Sequence, residues 1–309
     1  MDTKTIDAVI PVYRPGREFP ELITRLEKQN RKIRFIYLMH PKDGSDLMHL
    51  ECIKGHDNII IEEVEPEEFD HGGTRHRGIC RSDADYILCM TQDAVPSDRS
   101  LTERLAEALR EENVAAAYAR QLARKDCRQP ERYIRSFNYP EISRVKSQED
   151  LGELGIKTYF CSNVCAMYRS DIYRELGGFE RHTIFNEDMI YAAGCIGQGY
   201  RIAYAAEAKV IHSHNYSDIQ QFKRNFDLAV SQAMHPEIFR TVKSESEGIR
   251  MVTSAAAYLL LNGHPLAVVR LFTSSTAKYL GYLLGKNYER LPRKVVLAFT
   301  MNPRYWGKS

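Results

Sequence analysis

The sequence lacks the features that mark several classes of protein. Lys and Arg number 43 against 41 Asp and Glu, so the bulk charge does not indicate a nucleic-acid-binding surface. No apolar run approaches the roughly 20 residues of a membrane-spanning helix, and we expect that the chain does not cross a bilayer by itself. Neither an internal repeat nor a low-complexity segment is present, and 43% of the residues are hydrophobic. An ordinary globular fold is therefore expected.

Cysteine usage and the first residues indicate the compartment. The seven cysteines are an odd number and include no C-x-x-C pair, so they do not predict a disulfide framework. Residues 1–4 lack the charged-then-apolar layout of a secretory signal peptide. Both observations favour a reducing, cytoplasmic environment. A chain of 309 residues can form one large α/β domain with an appendage, or two modest domains.

Short apolar segments alternate with segments of helical periodicity in residues 1–216. This alternation predicts an α/β fold with a Rossmann-like, mostly parallel central sheet flanked by helices. Residues 120–155 are charged and weakly periodic, which predicts a long excursion over the ligand-binding side. Predicted strands cover residues 5–12, 33–39, 58–64, the first half of 85–96, 114–119, 157–168, 201–204 and 209–214. Predicted helices cover residues 18–30, a segment opened by a capping-box candidate at 100–103, a short helix capped by Ser170, and residues 187–198.

Residues 217–309 have a different, helical character. Apolar patches alternate there with basic residues, so we expect a C-terminal helical extension that is basic and amphipathic. Such an extension can dock on the main domain, which is the commoner arrangement, or lie on an anionic membrane surface. Its basic residues include Arg270, Lys278, Lys286, Arg290, Arg293, Lys294, Arg304 and Lys308.

Asp93 follows an apolar run of the kind found in a strand that is buried on both faces. The run ends in a polar turn closed by Pro96. In open α/β sheets ligands bind at the carboxyl ends of the strands, so Asp93 is placed to meet a ligand. Taken alone, the residue is equally well explained as the cap of a turn.

His212 and His214 lie at the end of another apolar segment. Residues two apart on a strand share a face, so both imidazoles can point into one site, although we expect one ligand rather than two. Together with Asp93 they offer a carboxylate and an imidazole, which suit Mn²⁺ or Mg²⁺ that also binds a substrate diphosphate. A zinc site on Cys161 and Cys165 is the alternative, which their spacing disfavours.

The segment His71-Gly72-Gly73-Thr74-Arg75 is predicted to be a glycine turn. Backbone N–H groups and a guanidinium there can approach a phosphate closely. The segment matches neither a Walker A loop nor a GxGxxG fingerprint, and in isolation an ordinary loop rich in turn-forming residues is the favoured explanation.

Glu187 and Asp188 stand at the start of a predicted helix. Carboxylates in a first helical turn stabilise the helix dipole by ~0.3 to 1 kcal/mol and need no other role. One of them facing a cleft can instead take a proton from an acceptor hydroxyl group.

In this order the segments resemble the family 2 glycosyltransferases, which are inverting enzymes with the GT-A fold. The resemblance covers nearly the whole chain and is strongest to the bacterial rhamnosyltransferase branch, which uses dTDP-L-rhamnose. Residues 69–78 are similar to that branch's F-x-H-G-G-x-R-N-x-G segment, residues 91–94 to its T-Q-D-A form of the metal motif, and residues 210–216 to V-x-H-S-H-N-Y. Residues 9–13 resemble the opening strand of the family, residues 162–163 and 177–179 its acceptor-side segment, and residues 186–188 its E-D pair.

The resemblance implies a role for each matching residue. It implies that Asp188 is the catalytic base, that Asp93 and His212 bind Mn²⁺ or Mg²⁺, and that Asn163 and Glu187 lie on the acceptor side. The implied donor is dTDP-rhamnose or a UDP-sugar, the implied acceptor is a saccharide or a lipid-linked saccharide, and no nucleic-acid partner is expected. The residues expected to meet the nucleotide-sugar are Pro11, Tyr13, Arg14, Asp43, His71, Gly72, Gly73, Arg75, Gln92 and Asp93.

The sequence also departs from the family pattern. Where the family has an acidic segment that reads the nucleotide base, Asp43 takes the place of the second acid, and Lys42 or His40 takes the base-reading place. His76 stands where the family usually has Asn. A UDP-hexose-dependent enzyme and a catalytically silent binding module of a polysaccharide assembly complex are therefore kept as alternatives. A dehydrogenase is an alternative on fold grounds alone, and the missing GxGxxG after the first strand argues against it.

Overall fold

The computed structural model describes residues 4–44, 47, 50–240 and 245–308. Within these ranges the strands are β1 (Ile6–Pro11), β2 (Ile36–Pro41), β3 (Ile59–Val64), β4 (Tyr86–Met90), β5 (Val95–Pro96), β6 (Val114–Leu122), β7 (Arg144–Lys146), β8 (Cys165–Arg169) and β9 (Arg201–Ile211). The α-helices are α1 (Phe19–Glu27), α2 (His71–Ile79), α3 (Leu101–Ala108), α4 (Gln129–Asn138), α5 (Leu151–Leu154), α6 (Ser170–Glu175), α7 (Glu187–Gly197), α8 (Asp218–Met234), α9 (Pro236–Phe239), α10 (Glu245–Leu261), α11 (Pro265–Lys286) and α12 (Arg293–Phe299).

The strands form one mixed sheet in the order β3-β2-β1-β4-β8-β6-β9-β5, and β7 also pairs with β9. The pairs β3–β2, β2–β1, β1–β4 and β6–β9 are parallel. Strand β8 runs antiparallel to its neighbours β4 and β6, and β5 and β7 run antiparallel to β9. The α/β fold expected from the sequence is confirmed, with its parallel pairing concentrated in the N-terminal half.

Two layers of helices cover the sheet because side chains along each strand alternate between its faces. In β1, Ala8 and Ile10 pack in the cluster that contains α1 and α3, whereas Val9 packs in the cluster that contains α2, α6 and α7. Burying a Leu or Phe side chain stabilises the fold by roughly 1.5–3 kcal/mol, and α1 contributes Phe19 and Leu22 to the first layer. The apolar runs of β1 and β4 are thus buried on both faces, as their composition predicts.

The turn predicted within residues 69–78 is wrong, because this segment contains helix α2. Asp70 caps the helix and accepts a hydrogen bond from the backbone N–H of Gly73 at 2.6 Å. A Cβ atom on Gly72 or Gly73 would collide with the backbone carbonyl oxygens of residues 180–181. Tertiary contact therefore stabilises a helix that local propensity does not predict.

The strand predicted over residues 157–168 is mostly wrong. Only its end lies in β8, and Gly155–Tyr159 form a 3₁₀ helix. The buried ammonium group of Lys146 donates hydrogen bonds to the carbonyl oxygens of Phe160 and, at 3.0 Å, of Lys157. These bonds direct the two carbonyl groups inward, which a strand pairing with a neighbour cannot do.

Other boundaries also differ from the predictions. The two strands predicted over residues 201–214 form the single strand β9, and the excursion over residues 120–155 contains α4, β7 and α5. Neither Ser100 nor Ser170 caps its helix through the side chain, since Ser100 instead accepts a hydrogen bond from the Asn30 amide at 3.1 Å. Ser45 and Asp46, which follow Asp43 and Gly44 in the sequence, lie outside the described residues.

The C-terminal helices pack on the sheet-containing part of the chain. Ile134 of α4, Leu259 of α10 and Leu271 of α11 share one buried cluster. Gly281 and Gly285 bring α11 so close to α8 that a Cβ atom on either glycine would collide with a backbone carbonyl oxygen of α8. Among the described residues, no helix combines the length and the hydropathy needed to cross a membrane.

Candidate active site

The ends of β4 and β9 bring one carboxylate and two imidazoles together. Asp93 lies in the turn after β4, and His212 and His214 follow β9. The Nε2 atom of His212 lies 3.6 Å from Oδ1 of Asp93, and Nε2 of His214 lies 3.2 Å from Oδ2. The three groups offer ligand atoms that all lie within 4.8 Å of one another. Both histidines, and not His212 alone, therefore reach the carboxylate.

Neighbouring side chains hold this cluster, called here the triad, in a form suited to a cation. Nδ1 of His212 lies 3.1 Å from Oε1 of Gln121, so Nδ1 carries the proton and Nε2 is free to act as a ligand. Burial lowers the pKa of His212, and burial together with His212 lowers the pKa of His214 to about 4. Although burial opposes it, the neighbouring imidazoles of His212 and His214 hold the pKa of Asp93 well below its usual value.

The triad fits a divalent cation. An ionised carboxylate and two neutral imidazoles are ligands that Mn²⁺ accepts, and three ligands leave coordination positions for a substrate. Among the described residues this is the single group of three such side chains. Cys161 and Cys165 are buried outside it, so the zinc alternative has no support from geometry.

Two adjacent carboxylates at the start of α7 have different surroundings. Glu187 is buried, its Oε1 lies 3.1 Å from Nη1 of Arg75, and it accepts a hydrogen bond from the Asn163 amide at 3.0 Å. Asp188 is half-buried and accepts a hydrogen bond from the backbone N–H of Asn163 at 2.8 Å. Asn186, just before the helix, has a left-handed φ of 64°, a strained conformation of the kind that recurs at functional sites.

These surroundings shift the two carboxyl groups in opposite directions. Burial opposes ionisation of Glu187, but the Arg75 guanidinium outweighs it and lowers the pKa of Glu187. Burial and the Glu187 charge raise the pKa of Asp188 to about 7. Glu187 is thus a permanent anion paired with Arg75, and Asp188 can gain and lose a proton near neutral pH.

The loop after β1 is fixed by Gln92. The Gln92 amide accepts a hydrogen bond from the backbone N–H of Tyr13 at 2.8 Å and donates one to the carbonyl oxygen of Tyr13 at 2.9 Å. Arg14 has a left-handed φ of 46°, and its guanidinium lies 5.2 Å from the centre of the Tyr13 ring. The sequence leads us to expect that Gln92 meets the donor, whereas its amide is used on the backbone of this loop.

Other residues predicted to lie near the donor are found at the ends of β1 and β2. Pro11 ends β1, and Asp43 is exposed after β2. His40 is buried, with its Nδ1 3.0 Å from the carbonyl oxygen of Val12, so this ring nitrogen is used on the backbone after β1. Lys42, by contrast, is exposed.

The start of α2 supports the acidic pair. Arg75 is buried and also donates a hydrogen bond to the carbonyl oxygen of His71 at 2.8 Å. Nδ1 of His71 lies 3.9 Å from Oε2 of Glu187. Gly72 and Gly73 serve the close backbone contact described above. Contact of this segment with a phosphate stays a prediction, while its contacts with Glu187 are a feature that the sequence does not reveal.

A group of cations beside the triad is also missed by the sequence patterns. Arg128, at the start of α4, and Arg270 and Lys278 of α11 line a cavity that His214 lines as well. Desolvation lowers the pKa of Lys278, and the nearby Glu131 opposes this shift. Such a cationic wall suits an anionic group such as a diphosphate. The basic residues of the extension are visible in the sequence, but no spacing connects them to His214.

Comparisons with known proteins give a consistent result. The model of the family described as Glycosyl transferase family 2 matches residues 7–177. O-antigen chain rhamnosyltransferase WbaN of Salmonella anatum is 37% identical over 302 residues, which cover 97% of this chain and 95% of that protein. O-antigen chain rhamnosyltransferase RfbN of Salmonella typhimurium is 38% identical over 307 residues, which cover 98% and 96%.

Solved structures share the fold. Mannosyltransferase PcManGT from Pyrobaculum calidifontis, in complex with GDP-Man and Mn²⁺, aligns with a TM-score of 0.57 at 15% identity, over 99% of this chain and 83% of that chain. S. aureus TarS in complex with UDP-GlcNAc aligns with a TM-score of 0.52 at 14% identity, over 93% of this chain and 91% of that chain. At these identities the likeness concerns the fold.

Proposed function

The chain belongs to glycosyl transferase family 2 and is a glycosyltransferase, and from this premise we propose that it transfers L-rhamnose from dTDP-L-rhamnose to a hydroxyl group of a surface polysaccharide or lipid-linked oligosaccharide. Similarity along the whole chain to two O-antigen chain rhamnosyltransferases supports the sugar and the acceptor class. The observation that carries the proposal is the presence, in one chain, of a triad at the strand ends that can hold a cation and of a carboxyl group, Asp188, whose pKa is raised to about 7.

The proposed reaction is a single displacement with inversion at the anomeric carbon. Asp188 takes the proton of the acceptor hydroxyl group as its oxygen forms a bond to the anomeric carbon. The bond from that carbon to the diphosphate oxygen breaks, and the electron pair leaves with the nucleoside diphosphate. Asn163 holds Asp188 on the acceptor side through its backbone N–H, and burial and the charge of Glu187, which the Asn163 amide contacts, raise the pKa of Asp188.

The triad would hold Mn²⁺ or Mg²⁺, which when bound supplies positive charge that stabilises the departing diphosphate. PcManGT was solved with GDP-Man and Mn²⁺, which agrees with a divalent cation in this fold. Arg128, Arg270 and Lys278 line the adjacent cavity and add positive charge for the same anion. In this proposal Tyr13, Arg14 and Asp43 lie towards the nucleoside.

Both parts of the chain contribute in this proposal. Residues 1–216 form the nucleotide-sugar-binding and catalytic domain, and residues 217–309 form an extension whose α11 lines the cavity beside His214. We also place the enzyme at a membrane surface through this extension, which suits a lipid-linked acceptor.

Thermal unfolding with nucleoside diphosphates tests the donor. A ligand at about 100 times its Kd stabilises the folded protein by about 2.7 kcal/mol, which is a shift of several degrees in Tm. We expect dTDP to raise Tm more than UDP does, and only when Mn²⁺ is present. A larger shift with UDP would favour the UDP-hexose alternative. If the Tm shift with each nucleotide is the same with and without Mn²⁺, the proposed metal site is contradicted.

A further inference from the structure

The extension exposes a continuous strip of large apolar side chains, called here the outer face. Their exposed fractions range from 39% for Leu283 to 87% for Leu261. Monomeric soluble proteins rarely expose contiguous apolar surface of this kind without a partner. The outer face consists of Leu260 and Leu261 at the end of α10 and Leu266, Val269, Phe272, Tyr279, Leu280 and Leu283 on α11.

Helical spacing places the outer face opposite the packed face of α11. At 100° per residue, Leu266, Val269, Phe272, Leu280 and Leu283 fall on one side of the helix. The residues that pack inward, Leu271, Gly281 and Gly285, fall on the other side. At 1.5 Å per residue the strip runs along a helix of about 33 Å, long enough to lie along a surface.

The charge of this region identifies the partner. Residues 248–286 contain Arg250, Arg270, Lys278 and Lys286 and no acidic residue. On α11, Lys286 flanks one side of the strip, and Arg270, which also lines the cavity beside His214, flanks the other. A second copy of the chain would bring the same positive flanks against each other, whereas anionic lipid headgroups complement them. No described helix can cross the bilayer, so the helix would lie in the plane of the interface.

We propose that the outer face seats the enzyme on an anionic lipid bilayer, with Leu266, Val269, Phe272, Leu280 and Leu283 inserted between the headgroups. The proposal rests on the function proposed above, because it names the surface through which the enzyme reaches a lipid-linked acceptor. Ser274, Ser275 and Lys278, on the inward side of α11, line the cavity that His214 lines. Helix α11 therefore separates the cavity beside the triad from the outer face.

Flotation with lipid vesicles tests the proposal. The full chain is mixed with vesicles of phosphatidylcholine alone or of phosphatidylcholine with phosphatidylglycerol. We expect binding to the anionic vesicles that weakens as salt is added. We expect the double variant Phe272→Glu, Leu280→Glu to partition at least about tenfold less, because two charges replace inserted apolar groups. The matched control is Ile142→Glu, Ile219→Glu, which alters side chains that are 80% and 70% exposed elsewhere and should bind like the wild type.

Three outcomes overturn the proposal: no binding of the wild type to anionic vesicles, equal binding of the Phe272 and Leu280 variant, or a vesicle-free dimer that this variant abolishes while vesicles capture neither protein. Circular dichroism confirms that each variant is folded. Nucleoside diphosphate release without vesicles is measured in parallel. Vesicle binding without turnover would reject the proposed function and support the membrane face. Turnover without vesicle binding would support the proposed function and reject the membrane face.

Discussion

At the scale of single residues, two adjacent carboxylates have separate roles. Glu187 is buried with Arg75 as its counter-ion, so its charge is permanent. In the proposed reaction Asp188 exchanges a proton with the acceptor, and its raised pKa comes from burial and from the Glu187 charge. Burial of an ion pair is costly unless hydrogen bonds complete it, and Asn163 supplies a bond to each carboxylate.

The pH profile of the reaction tests this division. Asp188 acts as a base only when it is deprotonated, so kcat/KM should fall as the pH drops through its raised pKa of about 7. Glu187→Gln removes the like charge beside Asp188 and leaves the positive charge of Arg75 without its counter-ion. Both effects lower the pKa of Asp188. The acidic limb of the profile, measured from about pH 5 to about pH 9, should therefore move to lower pH. A limb that stays in place or moves upward would show that Asp188 is not the titrating base.

Gln92 gives a second prediction at this scale. Gln92→Met keeps the side-chain volume and removes both hydrogen bonds to the Tyr13 backbone. If this loop carries the nucleoside, binding of dTDP measured by calorimetry should weaken about tenfold, since each lost bond is worth ~0.5–1.5 kcal/mol. The control is Gln198→Met at an exposed position, which should bind normally. If Gln92→Met binds dTDP with unchanged affinity, the loop after β1 does not take part in nucleotide binding.

The sequence indicates some residues of the site and misses others for a physical reason. Asp93 and Asp188 are recognisable because each stands where an element begins or ends, at a position with an expected side-chain direction. The approach of His214 to Asp93 and the pairing of Arg75 with Glu187 depend on contacts between distant segments. No local pattern encodes a distance between segments, so these contacts require the structure.

At the scale of elements, the sequence predicts those helices and strands that local patterns determine and misses those that depend on contacts between distant segments. The apolar runs of β1 and β4 predict buried strands, and α1 and α7 follow from their apolar spacing and first residues. Helix α2 is not predicted because Gly72 and Gly73 disfavour a helix locally, and their contact with residues 180–181 outweighs that preference. The antiparallel insertion of β8 likewise depends on partners far away in sequence.

The contact between α8 and α11 gives a stability prediction. A Cβ atom at residue 281 would collide with the backbone carbonyl of Phe222, which cannot move aside without shifting the helix. Gly281→Ala should therefore destabilise the protein by about 1–3 kcal/mol in denaturant unfolding. The matched control is Gly248→Ala on α10, where nothing lies within 4 Å, and it should be neutral or stabilise by up to about 1 kcal/mol. Equal effects of the two substitutions would contradict the close helix contact.

At the scale of the whole molecule, the sheet gathers the site at the ends of its strands. Asp93 follows β4, the histidines follow β9, and α7 adds Asp188 from the helical layer. The extension closes one side with the cations of α11 and presents the outer face on its other side. A soluble nucleotide-sugar and a membrane-bound acceptor can thus meet at one edge of the sheet in the proposed enzyme.

Release of nucleoside diphosphate from dTDP-L-rhamnose, with a bacterial membrane extract as the source of acceptor, tests the central proposal most directly. We expect release by the wild type with Mn²⁺, loss of release with a chelator, and a rate about 10²- to 10⁴-fold lower for Asp188→Asn. Unchanged binding of dTDP by Asp188→Asn would show that its donor site is intact. Near-normal release by Asp188→Asn, or equal release with a chelator present, would contradict a metal-dependent transfer in which Asp188 is the base.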